Sequence, residues 1–113
     1  MSRYCLALDL VNDASQIAAY IEQHQRIWPE IAAHIRATGV TEMEIWHLGT
    51  RLFMVMDVDG SYSAERAAAL AASTPKVAEW EALMWTYQVP TPWAQEGEKW
   101  ALMTQIFALN AQA

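Results

Sequence analysis

Tyr20 and His24 stand four residues apart in the segment Tyr20-Ile21-Glu22-Gln23-His24. On a helix that spacing places both side chains on one face. A histidine titrates near neutrality and exchanges protons with a hydroxyl at pH 7, while a nearby phenol hydrogen-bonds the same substrate. Taken alone, such a pair serves packing or capping as readily as catalysis. Trp28 continues the same face, and Trp80 with its neighbour Glu81 lies in a second segment. A carboxylate beside a buried ring binds hydroxyl groups or simply rests on a solvated face, and the spacing leaves both readings open for Glu81.

The other residues narrow the chemistry by exclusion. Three histidines and one cysteine show no ligand spacing, so no metal site is expected. His34 falls off the apolar stripe of its segment and is expected in solvent. His47 alternates with Trp46 and points to the opposite strand face. The four glycines stand singly at turns, which rules out a phosphate-cradling loop, and no Gly-x-Ser-x-Gly elbow occurs. Glu22, Glu30 and Glu65 read as solvated helix residues, and Glu42 and Glu44 as the exposed alternates of a strand.

A net charge of −6, with seven scattered basic residues, argues against nucleic acid as a partner. The lone Cys5 makes an intrachain disulfide impossible and reads as a small buried hydrophobe in a strand. There is no signal-peptide pattern and no apolar run long enough to span a membrane, so a cytoplasmic location and no membrane partner are expected. Six tryptophans are many for 113 residues. Their rings suit a core, a subunit interface or the floor of a sugar site, because the C–H face of a pyranose packs on an aromatic ring.

The elements that must position Tyr20 and His24 follow from periodicity. Tyr4–Val11 is mostly apolar and reads as a buried strand. Asn12-Asp13 then caps a helix whose stripe runs Ile17, Tyr20, His24, Ile27, Ile31, Ile35. Pro29 divides that helix in two and starts the second piece, which Gly39 terminates. Met43–Leu48 and Arg51–Val58 flank Gly49-Thr50 as an antiparallel hairpin. Ser61 or Ser63 caps a helix over Ala64–Ala72, and Thr74-Pro75 caps and restarts it through Val77, Trp80, Met84 and Tyr87. After a proline-containing loop, Trp100–Leu109 reads as a last strand. Residues 1–113 therefore form one domain of order β-α-β-β-α-β, an α+β ferredoxin-like fold with both helices on one face of an antiparallel sheet. Apolar residues on both strand faces suggest that a second copy covers the other face, giving a homodimer of the dimeric α/β-barrel type.

The run Tyr20-x3-His24-x2-Ile27-Trp28-Pro29-Glu30, followed by Gly39, Ser73-Thr74-Pro75 and Trp80, resembles the L-rhamnose mutarotase family over nearly the whole chain. The resemblance implies a small dimeric ferredoxin-like enzyme without cofactor that interconverts the anomers of a monosaccharide. It further implies that His24 is the catalytic proton donor and acceptor and that Tyr20 binds the sugar, with Trp28, Trp80 and Glu81 as further substrate-binding candidates. Met43 and Glu81 stand where that family carries aromatic residues, so the missing roles do not transfer. Pro75-Lys76-Val77-x-Glu79-Trp80-Glu81 and Pro92-Trp93 look like a subgroup associated with L-fucose, which favours L-fucose over L-rhamnose. The fold alone also suits a cofactor-free monooxygenase or a small-metabolite-binding module.

Overall fold

The computed structural model describes residues 2–113. The chain runs β1 (Ser2–Leu10), α1 (Ala14–Gln25), α2 (Pro29–Ala37), β2 (Val40–Leu48), β3 (Arg51–Val58), α3 (Ala64–Ala72), α4 (Pro75–Trp85), β4 (Gln88–Val89) and β5 (Ala101–Leu102), with a short 3-10 turn at Leu109–Ala111. Helix starts follow the capping chemistry. The Asp13 carboxylate accepts from the Ser15 and Gln16 amides at 3.0 Å each, and Ser63 Oγ accepts from the Arg66 amide at 3.0 Å. Pro29 and Pro75 occupy first-turn positions, where their missing N–H costs nothing. Thr74 precedes α4 as expected but does not cap it. Its hydroxyl donates to the Leu70 carbonyl at 2.8 Å, an oxygen at the end of α3 that also accepts from the Ser73 amide and hydroxyl.

All pairings in the sheet are antiparallel, in the spatial order β2-β3-β1-β4, with β5 also on β1. β1 and β3 are in register from Ser2 opposite Val58 to Asp9 opposite Arg51. Strict alternation decides the faces. Leu52, Met54, Met56 and Val58 are buried under the helices, beside Leu8 and Leu10. Arg51, Phe53, Val55 and Asp57 take the other face, which no helix among the described residues covers. That bare face carries two cross-strand ion pairs, Arg3–Asp57 at 2.8 Å and Arg51–Asp9 at 2.6 Å. It also carries Cys5, half-buried rather than buried.

The largest departure from the sequence reading is at the fourth strand. Trp100–Leu109 is expected to be one strand, yet only Ala101–Leu102 pairs, opposite Ala7 and Leu6. Gln88–Val89, which directly follow the helix expected through Tyr87, pair with Leu10 and Asp9. Since β3 occupies the other edge of β1, β4 and β5 lie on one edge as two halves of a single strand, interrupted by residues 90–100. Beyond the Met103 amide, which donates to the Cys5 carbonyl at 2.8 Å, the chain leaves the sheet. Its apolar side chains there are open to solvent, Ile106 at 95% and Phe107 at 63% exposure.

Gly39 joins α2 to β2 with φ +103°, and a Cβ there would meet Asp59 Oδ1 and Ser61 Oγ at 2.8 Å. Only glycine fits that corner. His34, expected in solvent, is half-buried.

Candidate active site

α1 presents its inner face to the sheet, and Tyr20 sits at the centre of that contact with 2% of its surface exposed. Its ring packs edge-on to Tyr87 at 5.8 Å and lies 4.2 Å from the His24 ring. His24, one turn on, is flanked on its other side by Trp80 at 5.7 Å, which in turn meets Trp28 edge-on at 5.1 Å. Four of the five expected site residues therefore form one aromatic stack, in the order Tyr20, His24, Trp80, Trp28.

The imidazole in this stack has a defined tautomer. His24 Nδ1 lies 2.8 Å from the Tyr20 carbonyl oxygen. A carbonyl only accepts, so Nδ1 carries the proton and donates it, which leaves Nε2 with its lone pair. Burial among the rings lowers the His24 pKa below its ordinary value, opposed in part by that hydrogen bond. At neutral pH the ring is thus an uncharged base with one free nitrogen.

Tyr20 and His24 open into a cavity of about 530 Å3 between α1, α2 and β2, a size suited to a small ligand. Its far wall is β2, whose inward alternates are Met43, Ile45 and His47, and Arg36, Thr41 and Glu42 add polar groups. Trp28 and Trp80 stand behind His24 rather than on the cavity surface. Glu81 is placed elsewhere. It is exposed and its Oε2 lies 2.6 Å from Lys99 Nζ, tying α4 to the 90–100 loop, and Lys99 also lies over the Trp85 ring at 4.9 Å. Glu81 reaches Tyr20 only through its charge. Together with desolvation, the larger effect, that charge pushes the phenol up to about 12, against a hydrogen bond from Gln88. Tyr20 stays protonated across the physiological range.

Sequence reasoning set His47 aside because it alternates with Trp46. That alternation is what aims it into the cavity, since Trp46 takes the bare face at 62% exposure. His47 Nε2 lies 2.6 Å from the Gly49 carbonyl, so this imidazole too holds its proton against main chain. Gln88, which donates Nε2–H to Tyr20 Oη at 3.3 Å, was missed outright because its strand is two residues long. Among the described residues no group of three His, Cys, Asp or Glu side chains is placed to hold a metal ion.

A neutral imidazole and a protonated phenol facing a half-enclosed cavity suit proton exchange with a hydroxylated ligand. The model of one family, L-rhamnose mutarotase, matches residues 3–109. The chain belongs to the L-rhamnose mutarotase family. Among its relatives, the L-fucose mutarotase of Xanthomonas campestris pv. campestris is 42% identical over 112 residues, covering 97% of this chain and 90% of that protein. A UPF0734 protein of Dictyostelium discoideum is 35% identical, covering 95% of this chain and 89% of its own length. In structure, the chain matches the crystal structure of an L-rhamnose mutarotase from Formosa agariphila with a TM-score of 0.71, covering 96% of this chain and 99% of that one. At 21% identity that match speaks to the fold, which is the expected ferredoxin-like one.

Proposed function

We propose that this member of the mutarotase family interconverts the α and β anomers of a free 6-deoxy-L-hexose, L-fucose ahead of L-rhamnose. The observation that carries the mechanism is the hydrogen bond from His24 Nδ1 to the Tyr20 carbonyl, which leaves Nε2 as the one lone-pair nitrogen of that ring. Nε2 takes the proton of the O1 hydroxyl, the C1–O5 bond breaks, and O5 receives a proton. The sugar is then an open-chain aldehyde. Rotation about C1–C2 and closure on the opposite face, with the protons moved in reverse, give the other anomer. No electrons are transferred and no covalent intermediate forms, so the residues need supply only acid–base assistance, about 10²–10⁴-fold. Tyr20 orients the sugar as a neutral donor, and Trp80 and Trp28 keep the imidazole desolvated. The 42% identity to an L-fucose mutarotase supports the sugar preference.

We assign the working unit as a homodimer. Supporting this, no helix among the described residues covers the sheet face opposite α1–α4, and Leu102, Ile106, Phe107 and Leu109 are each more than 60% exposed. The absence of any intrachain disulfide with a single Cys5 fits a reducing compartment, and we place the enzyme in the cytoplasm. No helix among the described residues is long and apolar enough to cross a membrane.

Saturation-transfer NMR on the anomeric protons of L-fucose, L-rhamnose and D-glucose tests the assignment. Enhanced exchange for a deoxy sugar that disappears in His24→Ala is the expected result. Undiminished exchange in that variant removes His24 from the mechanism.

A further inference from the structure

Tyr20 Oη has one hydrogen-bond partner among the described side chains, the Gln88 amide nitrogen. In that bond the phenol oxygen accepts, so its own proton is uncommitted. Gln88 is 6% exposed, and its Oε1 is fully buried without any partner. Exchanging the amide's oxygen and nitrogen does not cure the shortage. Tyr20 would then donate to Oε1, and the buried NH2 would be the orphan. In either orientation the pair lacks a partner, and buried polar groups in native proteins are normally satisfied. In the orientation seen, the Tyr20 O–H is left as a free donor at the cavity, while Gln88 Oε1 stays buried behind it. A sugar hydroxyl accepts from that donor; a methyl group cannot.

We propose that Gln88 is a positioning residue of this enzyme: its amide holds the Tyr20 hydroxyl as a donor toward one hydroxyl of the bound sugar, and so sets which sugar stereochemistry the cavity accepts. Gln88 does not line the cavity and acts through Tyr20, which does. The placement follows from the split fourth strand. Gln88 pairs with Leu10 in the sheet, so its backbone is fixed, and alternation aims its side chain inward under α1. L-Fucose and L-rhamnose differ in configuration at C2 and C4, so a device that reads one hydroxyl at either carbon separates them. The inference rests on the mutarotase reading above.

Two measurements test it separately from that reading. The first is a double-mutant cycle on L-fucose exchange with Gln88→Leu, Tyr20→Phe and the pair. Gln88→Leu is expected to raise KM about tenfold with kcat nearly unchanged, the loss of one oriented hydrogen bond used for binding. Adding it to Tyr20→Phe should produce no further loss, because residues acting through one contact are not additive. Additive losses, or a fall in kcat alone, overturn the proposal. The second uses the unmodified sequence, labelled with 13C at tyrosine Cζ and 15N at glutamine side chains. Saturating L-fucose should move the Tyr20 Cζ and Gln88 amide resonances together. Movement of Tyr20 with a static Gln88 amide overturns the proposal even where Gln88→Leu fails to fold. Absence of exchange by the unsubstituted protein would instead remove the mutarotase reading, with the sugar-free Tyr20–Gln88 bond still visible in the same spectra.

Discussion

If His24 Nε2 is the base, its protonation must switch the enzyme off, and the structure fixes both ends of the pH profile. Burial between the Tyr20 and Trp80 rings depresses the His24 pKa below its ordinary 6.5. The neutral, active fraction therefore rises through a midpoint below 6.5. Each pH unit further down costs about tenfold in kcat/KM. Above the midpoint nothing in the stack titrates until Tyr20 at about 12. The expected profile is one ascending limb followed by a plateau at least as far as pH 10. Two-dimensional exchange NMR on the anomeric protons of L-fucose, with the enzyme-free rate subtracted at each pH, measures it. His24→Asn should lower exchange by about 10²–10⁴-fold and leave a residue without the ascending limb. The same shift has a stability consequence. Between the folded pKa and 6.5 the folded state binds fewer protons than the unfolded one, so stability falls as pH drops through that window. His24→Asn removes this contribution. A midpoint above 6.5, or a bell with a descending limb before pH 10, refutes the assignment of a neutral Nε2 base beside a protonated phenol.

Other outcomes follow from particular contacts. Gly39→Ala forces a side chain into φ +103° against the Tyr62 amide at 2.9 Å. It should cost at least about 2 kcal/mol and lower Tm by roughly 8 °C in a thermal melt, and a shift under about 2 °C contradicts that geometry. Glu81→Gln removes a charge that raises the Tyr20 pKa, so spectroscopic titration should find the phenol below about 12. The same variant should also lose some stability in a thermal melt, since it leaves the Lys99 ammonium, whose side chain is only 12% exposed, without its carboxylate partner. Ile106→Asp together with Phe107→Asp leaves the folded monomer's core intact, as both side chains are exposed within one copy. Analytical ultracentrifugation should show the unsubstituted protein as a dimer and this variant as a monomer.

The elements legible in the sequence are those whose signal is local. Pro29, Pro75 and Asp13 mark helix starts by chemistry contained within one turn, and the Leu52–Val58 alternation marks a strand with one buried face. The fourth strand was misread because pairing is a property of the neighbouring edge. Trp100–Leu109 has strand-like residues throughout, yet only Ala101–Leu102 finds β1 beside it. Gln88–Val89 has too few residues to show a period and is recognised only by what it pairs with. The site divides along the same line. Tyr20 and His24 share a helix face and can be found by counting. Whether Glu81 faces the sugar or Lys99 depends on a loop that returns 18 residues later, and counting along the chain cannot supply that distance. Gln88 meets Tyr20 across 68 positions.

The proton on His24 Nδ1 is held by the peptide carbonyl of Tyr20, four residues back on the same helix. In many histidine bases a neighbouring carboxylate does this work, and a single codon change can remove it. A main-chain oxygen has no codon. Substitutions at Tyr20 itself leave the carbonyl in place, so the tautomer is inherited with the helix and not with any one side chain. A substitution that changes the phenol therefore leaves the proton on Nδ1 and the lone pair on Nε2 where they are.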